Sequence, residues 1–565
     1  MKKFITISSA LTMLFISSNT NGQSDTLNMD ITYTGSLELV LKDANKISAW
    51  PQLKESMIEM TTIKYTLIPS KQQVTIEPKP IAAAKVNVEE KLQKLYRGYV
   101  RGGFGVYTTP LLDVYYMDGR SRNGVWGLDY HHLSSQGGGA VEDSITDSFS
   151  NNRFGMWGRR YLSKHSIEGG INWNRDVVHY YGFDPVLNWD APTDNLKQRF
   201  NNLEGYVDLR SYYRDSSKVN YNGRVGFRNF RDLNDGVENN VDFRGNASKY
   251  LNSELFSMDF RVNYNDFQYL SMADGKDKNR SNLLVQLQPE ARTDVGNLRV
   301  RLGMGLWLDA RNDRPFRFYP IAEASYSILD DLFIPYAGVE GSPVQNTYRS
   351  ITTENPFVLS DFDVKNTNRR LELFGGIRGT LSSSTSFNAR VSTTRYEDFL
   401  YFVNDSTYSP GSRFQALYDD LSVFTLRGEV AISTSDKFRM LARGEYFIYS
   451  TDLEKYAWYQ PSTKLTLNSS YNIGDKFLVT LDAYTVGQRR AKSLVQHRDG
   501  ELQPDGSYTV KLKGYVDASL GIEYRYTNRI SAWVKFNNLL FSRYQQWNLY
   551  NIQRFNAMMG ATYSF

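Results

Sequence analysis

The chain has 565 residues, with 66 Lys and Arg against 61 Asp and Glu, 5 His and no Cys. Without Cys there is no thiolate nucleophile, iron–sulfur cluster or Cys-ligated zinc, and a net charge of +5 over this length gives no case for nucleic-acid binding. The mean hydropathy is negative, which excludes a bundle of transmembrane helices, each needing about 20 apolar residues.

In chain order, residues 1–22 read as a secretory signal. Lys2 and Lys3 form a positive start, Phe4–Ile16 is an apolar run too short to span a bilayer, and small and polar residues continue to Gly22. Export beyond the inner membrane of a bacterium-like cell follows. Residues 23–96 form a separate segment. Ser36–Ile47 and Val88–Tyr96 are helix-compatible, and Ile63–Ile68 and Val74–Ile76 are strand-like, interrupted by Pro69, Pro78 and Pro80. That is too little apolar surface for an independent core. The segment is expected in the periplasm or the lumen, or to order on a partner.

From Tyr99 onward, period-2 alternation dominates. Leu298, Val300, Leu302, Met304, Leu306 and Leu308 oppose Arg299, Arg301, Gly303, Gly305, Trp307 and Asp309. Leu371, Leu373, Gly375 and Ile377 oppose Arg370, Glu372, Phe374, Gly376 and Arg378. Phe438, Met440, Ala442, Gly444 and Tyr446 oppose Arg439, Leu441, Arg443 and Glu445. Val510–Tyr526 reads as one long two-faced strand, with Val510, Leu512, Val516, Leu520, Ile522 and Tyr524 on the apolar side. At ~3.3 Å per residue it reaches beyond a bilayer's apolar core.

Connection lengths separate a soluble sandwich from a membrane barrel. Tight polar links, such as 162–165, 214–218, 293–297, 382–385, 433–436, 472–475 and 527–529, alternate with longer ones at 134–148, 181–195, 269–279, 345–365, 401–412, 490–507 and 542–553. Short periplasmic turns alternating with long outer loops mark an outer-membrane barrel. Residues 97–565 are therefore predicted to be an all-β, transmembrane antiparallel β-barrel of about 22 strands, or 20 if the short assignments at 111–118 and 124–134 fail. One closed sheet also sets aside the three or four domains that length alone suggests. In the last strand Phe555, Ala557, Met559, Ala561, Tyr563 and Phe565 form an apolar face that ends on an aromatic. The abundant aromatics fit interfacial girdles.

Phe104–Pro110, His131–Ser135, Ala457–Pro461 and Arg554–Phe565 resemble segments of Bacteroidota outer-membrane barrels of the TonB-dependent-receptor-like type. The resemblance implies that Phe555, Tyr563 and Phe565 belong to a targeting strand read by the barrel insertion machinery. A full receptor of that type has 22 strands, a folded plug and a short energy-coupling box. Residues 23–96 are shorter than a full plug, and Asp25–Met29 imitates the box poorly.

Little suggests catalysis. His131 and His132 are adjacent in one strand and face opposite sides, so they cannot share a metal as a simple pair. No nucleophile elbow follows them. Gly102–Gly105 reads as close packing in the opening strand and Gly137–Gly139 as a flexible outer loop. The functional constellation is lumen-facing charge: Arg224, Arg228, Arg244, Arg261, Arg299, Arg301, Arg378, Arg390, Arg427, Arg439 and Arg443, with Asp242, Asp259, Glu323, Glu372, Glu429 and Glu445. These charges either leave a guanidinium excess for anions or for the N-terminal segment, or pair across strands and stiffen a wet wall. The favoured reading is cross-strand pairing.

The sequence thus predicts a non-enzymatic barrel with a transport-type scaffold, passing or receiving a solute or polypeptide. The alternative is a non-transporting subunit of an outer-membrane assembly or secretion complex, and an outer-membrane enzyme stands third. The expected partners are outer-membrane lipid, the insertion machinery and an envelope protein docked on residues 23–96. No nucleic acid, cofactor or metal is expected.

Overall fold

A computed structural model describes residues 96–565, apart from 120, 139–145, 184–195, 272–273, 312–313, 330, 406–411, 435–436 and 495–499. The export signal and nearly all of the segment 23–96 lie outside the described residues. Twenty-five strands share one hydrogen-bonded sheet. Three of them, Arg489–Ser493, Gly500–Leu502 and Tyr508–Leu512, lie within one long connection, so 25 − 3 = 22 strands close the barrel. The weak pair is present as Thr109–Asp118 and Gly124–Ser135.

Closure follows from the chemistry of the membrane, where an unpaired backbone group has no water to bond. Each barrel strand pairs antiparallel with its neighbours. The last strand, Asn556–Ser564, pairs with the first, Gly98–Gly105, from Tyr99↔Ser564 to Gly105↔Met558. On its other side it pairs with Ile530–Asn537. Glycine makes this seam possible. A Cβ on Gly103 would stand 2.3 Å from the Trp533 ring, and the Arg101 guanidinium stacks 4.1 Å above that same ring.

The connections divide as the sequence reading expects. One end, the inner end, carries tight turns such as 162–164, 252–253, 296–297 and 383–384. The outer end carries the long ones, including 180–196, 345–366, 452–462, 487–514 and 538–555. One outer link is nevertheless tight: residues 106–108 join the first two strands, with Tyr107 and Thr108 both at positive φ.

Alternation also has the expected sense. Leu302, Met304 and Leu306 are exposed on the outside, whereas Trp307 and Asp309 are buried within. Val510–Tyr526 is not one strand, however. Tyr515–Arg525 belongs to the barrel, with Val516 and Tyr524 outward and exposed. Tyr508–Leu512 leaves it to pair with Arg489–Ser493, and there Val510 and Leu512 are buried in a core. Gly514 lies at the break. The apolar parity continues across it because both halves need apolar residues, one against lipid and one against protein.

That core is the largest apolar cluster among the described residues. It lies at the outer end and includes Tyr180, Phe200, Phe230 and Phe267 from one side of the barrel and Tyr396, Phe414, Leu421 and Phe447 from the other. Residues of the outer connections fill the space between: Tyr348, Ile351, Phe357, Trp458, Tyr459, Trp547 and Tyr550. The core therefore bridges the barrel, and many aromatics assigned above to membrane girdles are buried in it. Aromatic burial of this kind contributes several kcal/mol per ring.

Leu302→Arg would place a charge on the lipid side near the middle of its strand. It is expected to cost about 2–4 kcal/mol in guanidinium unfolding from phospholipid vesicles. An unchanged midpoint would mean that this face is not lipid-exposed. The folded chain should also migrate faster than the boiled chain on a cold gel.

Candidate functional site

Two features dominate the interior: the charged wall and the packed outer mouth. The wall begins with strand parity. Inward positions of neighbouring strands stack in rows, so guanidinium and carboxylate groups meet across the ladder. Arg261 donates to Asp242 (2.6 Å), Arg427 to Glu445 (2.9 Å) and Arg443 to Glu429 (2.6 Å). Arg301 contacts Glu290 at 2.6 Å and Glu323 at 3.9 Å. Arg378 reaches Glu323 at 4.0 Å, and Arg228 reaches the buried Glu238 at 3.5 Å. Arg390 joins Arg369 on Glu372, which is fully buried. Arg224 has a ring partner instead and stacks 3.8 Å above Tyr206.

Two of the predicted arginines sit apart from the packed interior. Arg299 bonds Asp294 at the inner rim, with both side chains more than half exposed. Arg244 bonds Asp242 at 2.5 Å from a largely exposed position. Cross-strand pairing, the favoured reading of the wall, therefore accounts for most of the apparent guanidinium excess. Sequence reasoning missed Glu238, Glu290 and Glu340, which supply the balancing carboxylates. All three lie on inward positions and were legible there. A register irregularity between Arg369 and Leu371 also changes the roles of two neighbours. It buries Arg369 against Glu372 and leaves Arg370, expected on the inward face, half exposed beside Glu397.

The outer mouth is organised by the connection 345–366. Its short helix, Tyr348–Glu354, is capped by Thr347, whose hydroxyl accepts from the Ser350 amide. The connection is tied to the outer ends of the strands Asn220–Arg231 and Val237–Leu251. The Tyr348 amide donates to Glu238 and its hydroxyl to Asp232, each at 2.5 Å. Gln345 donates to Asn263, and Arg261 donates to Gln345 at 3.1 Å. Burial pushes the Asp232 carboxyl above its usual range, opposed by the Tyr348 hydroxyl and the Gly236 and Asn234 amides. Burial, with Asp232 beside it, holds the Tyr348 hydroxyl protonated well above its ordinary value.

The other outer connections are knitted to one another. Asn548 donates to Asn404 at 3.0 Å, and Tyr459 donates to the same oxygen at 3.3 Å. Arg489 donates to the carbonyls of Gln545 and Gln546. Glu454 accepts from Trp458 and Lys492. Phe357 stacks on Tyr550 with ring centroids 3.7 Å apart. The sequence pattern Ala457–Pro461 thus marks a packed corner of the mouth. The signal missed was the density of aromatics inside the outer connections, where solvated loops would carry few.

His131 bonds Asp113 on the inner face, while His132 bonds Asn152 on the outer face. No cluster of three or more His, Asp or Glu among the described residues could hold a metal. Gln553 donates to the Gly137 carbonyl and the Gly138 amide donates to Asp147, while Gly139 lies outside the described residues. Phe555 stacks on Phe541, and Tyr563 stacks on Phe565 at the inner end of the seam.

The sequence matches no protein-family profile and no curated protein. The fold, by contrast, is shared with solved structures. The FrpB iron transporter from Neisseria meningitidis superposes with a TM-score of 0.64 at 11% identity, over 84% of this chain and 82% of that one. The siderophore receptor PirA from Acinetobacter baumannii gives 0.63 at 12% identity, over 84% and 81%. The ferripyoverdine receptor of the outer membrane of Pseudomonas aeruginosa gives 0.61 at 13% identity, over 83% and 72%. These neighbours are transport receptors rather than enzymes, and at this identity the likeness is one of fold.

Glu372→Gln removes the charge that the buried Arg369 and the partly buried Arg390 share. It is expected to lower stability by about 3–5 kcal/mol, read as a shift of the chemical unfolding midpoint. Arg299→Gln, at an exposed pair, should cost no more than about 1 kcal/mol. Equal effects would show that the wall charges are solvated rather than structural.

Proposed function

We propose that the chain is an outer-membrane barrel of the transport type that receives a solute or polypeptide at its outer end and passes it inward. The observation that carries this reading is the closed 22-strand barrel, a fold shared along most of its length with receptors for iron-bearing solutes. In this reading the outer core is the receiving platform, and the paired wall is a hydrated, rigid conduit. Residues 23–96 serve as a short periplasmic or lumenal element. The strand Asn556–Ser564, with the stacked Tyr563 and Phe565 at its inner end, is read by the insertion machinery.

A second reading has its own support. The outer core ties both sides of the barrel together, as a fixed scaffold would need. On that reading the barrel is a non-transporting subunit of an envelope assembly, and residues 23–96 are its docking element.

Planar-bilayer recordings discriminate between the two. The intact chain should be closed, and replacing the connection 346–366 with a short Gly-Ser linker should open a steady conductance. A barrel that stays closed after that replacement, and also without residues 23–96, would sink the transport reading. A stoichiometric partner retained in mild detergent would favour the second.

A further inference from the structure

The outside of the barrel carries a cation cluster unlike anything on the inside wall. Four consecutive strands form it: Phe149–Tyr161, His165–His179, Lys197–Ser211 and Asn220–Arg231. Their outward parity is set by Phe154, Met156, Ile171, Leu203, Val207, Val225 and Phe227, all exposed large apolar side chains. Along this parity from residue 150 to residue 231 the four strands contain no carboxylate. At the outer end the apolar band gives way to Arg175, Lys197, Arg199 and Arg231.

The register places these four together. Arg175 lies opposite Asn201, which in turn lies opposite Arg231. Arg199 lies opposite Val177, and Lys197 opposite His179. Just below them Trp173 lies opposite Leu203, so the cluster begins one outward position above an apolar row. At ~3.3 Å per residue, that step is about 7 Å, the distance from acyl chains into a headgroup layer.

The inside arginines are largely neutralised by carboxylates. Among the described residues, none of these four outward cations has a carboxylate partner. Arg231 bonds only the Asn229 amide oxygen, and the buried Nε of Arg199 has no partner. Beside them lies a cavity of about 390 Å³, lined among others by Ser134, Ser150, Arg175, Val177, His179 and Lys197. Guanidinium and ammonium groups with hydroxyl donors around an open cavity form a site for phosphate oxygens.

We infer that this outer-rim cluster binds the phosphate-bearing headgroup of an outer-leaflet lipid, with the acyl chains lying along the apolar row below. Arg175 and Lys197, which both line the cavity, grip the phosphate, and Arg199 supplies a further charge. Arg231 extends the site onto the neighbouring strand. The lipid acts as a fixed annular ligand on one side of the barrel and sets its depth and rotation in the membrane.

The test is native mass spectrometry of the full chain in mild detergent, titrated with phosphatidic acid or with phosphatidylcholine. Phosphatidic acid should bind at least about tenfold more tightly. The variant Arg175→Gln/Lys197→Gln/Arg199→Gln/Arg231→Gln should lose that preference while keeping heat-modifiable migration. Arg160→Gln, on the same outward face at the inner end, should retain it. Excess inorganic phosphate should fail to displace the lipid, because it lacks the chains that anchor along the band. Equal binding of the two lipids, an unchanged preference in the fourfold variant, or full displacement by inorganic phosphate would each overturn the assignment.

Discussion

Backbone hydrogen bonding without water is the constraint on which the rest depends. In a bilayer's apolar core an unpaired amide or carbonyl costs several kcal/mol, so the sheet must close. The seam between Gly98–Gly105 and Asn556–Ser564 meets that demand. It works because Gly103 leaves room for Trp533, and Trp533 in turn carries the Arg101 guanidinium. Closure then fixes parity for every strand, since neighbouring strands share one inside and one outside.

Parity creates an electrostatic problem that the molecule handles differently on each face. Inside, charges are confined, and an isolated buried guanidinium would be costly. Glu290, Glu372 and Glu429 sit where they neutralise arginines from adjacent strands. Outside, the middle of the wall must be apolar, and charge returns only at the rims. The cluster around Arg175 and Arg199 is such a return, without the carboxylates that balance the interior.

The outer end faces a different demand. Long connections over a wide barrel would be solvated and loose unless they buried something. Here they bury aromatic rings against one another and against both sides of the barrel, with Tyr348 anchored on Asp232 and Glu238.

The barrel, its strand number and the two-sided asymmetry of its links were legible in the chain, because period-2 alternation and turn chemistry are local properties. The sense of alternation at Leu302, Met304 and Leu306 was legible for the same reason. Three matters were decided only by the tertiary structure. Arg228 and Arg301 found carboxylate partners through register, which no single strand encodes. Val510 and Leu512 left the lipid face for the outer core, because apolar parity is the same for a side chain against lipid and one against protein. The aromatics of the outer connections became one core only because barrel closure brings residues hundreds of positions apart, such as Tyr181 and Tyr550, into contact.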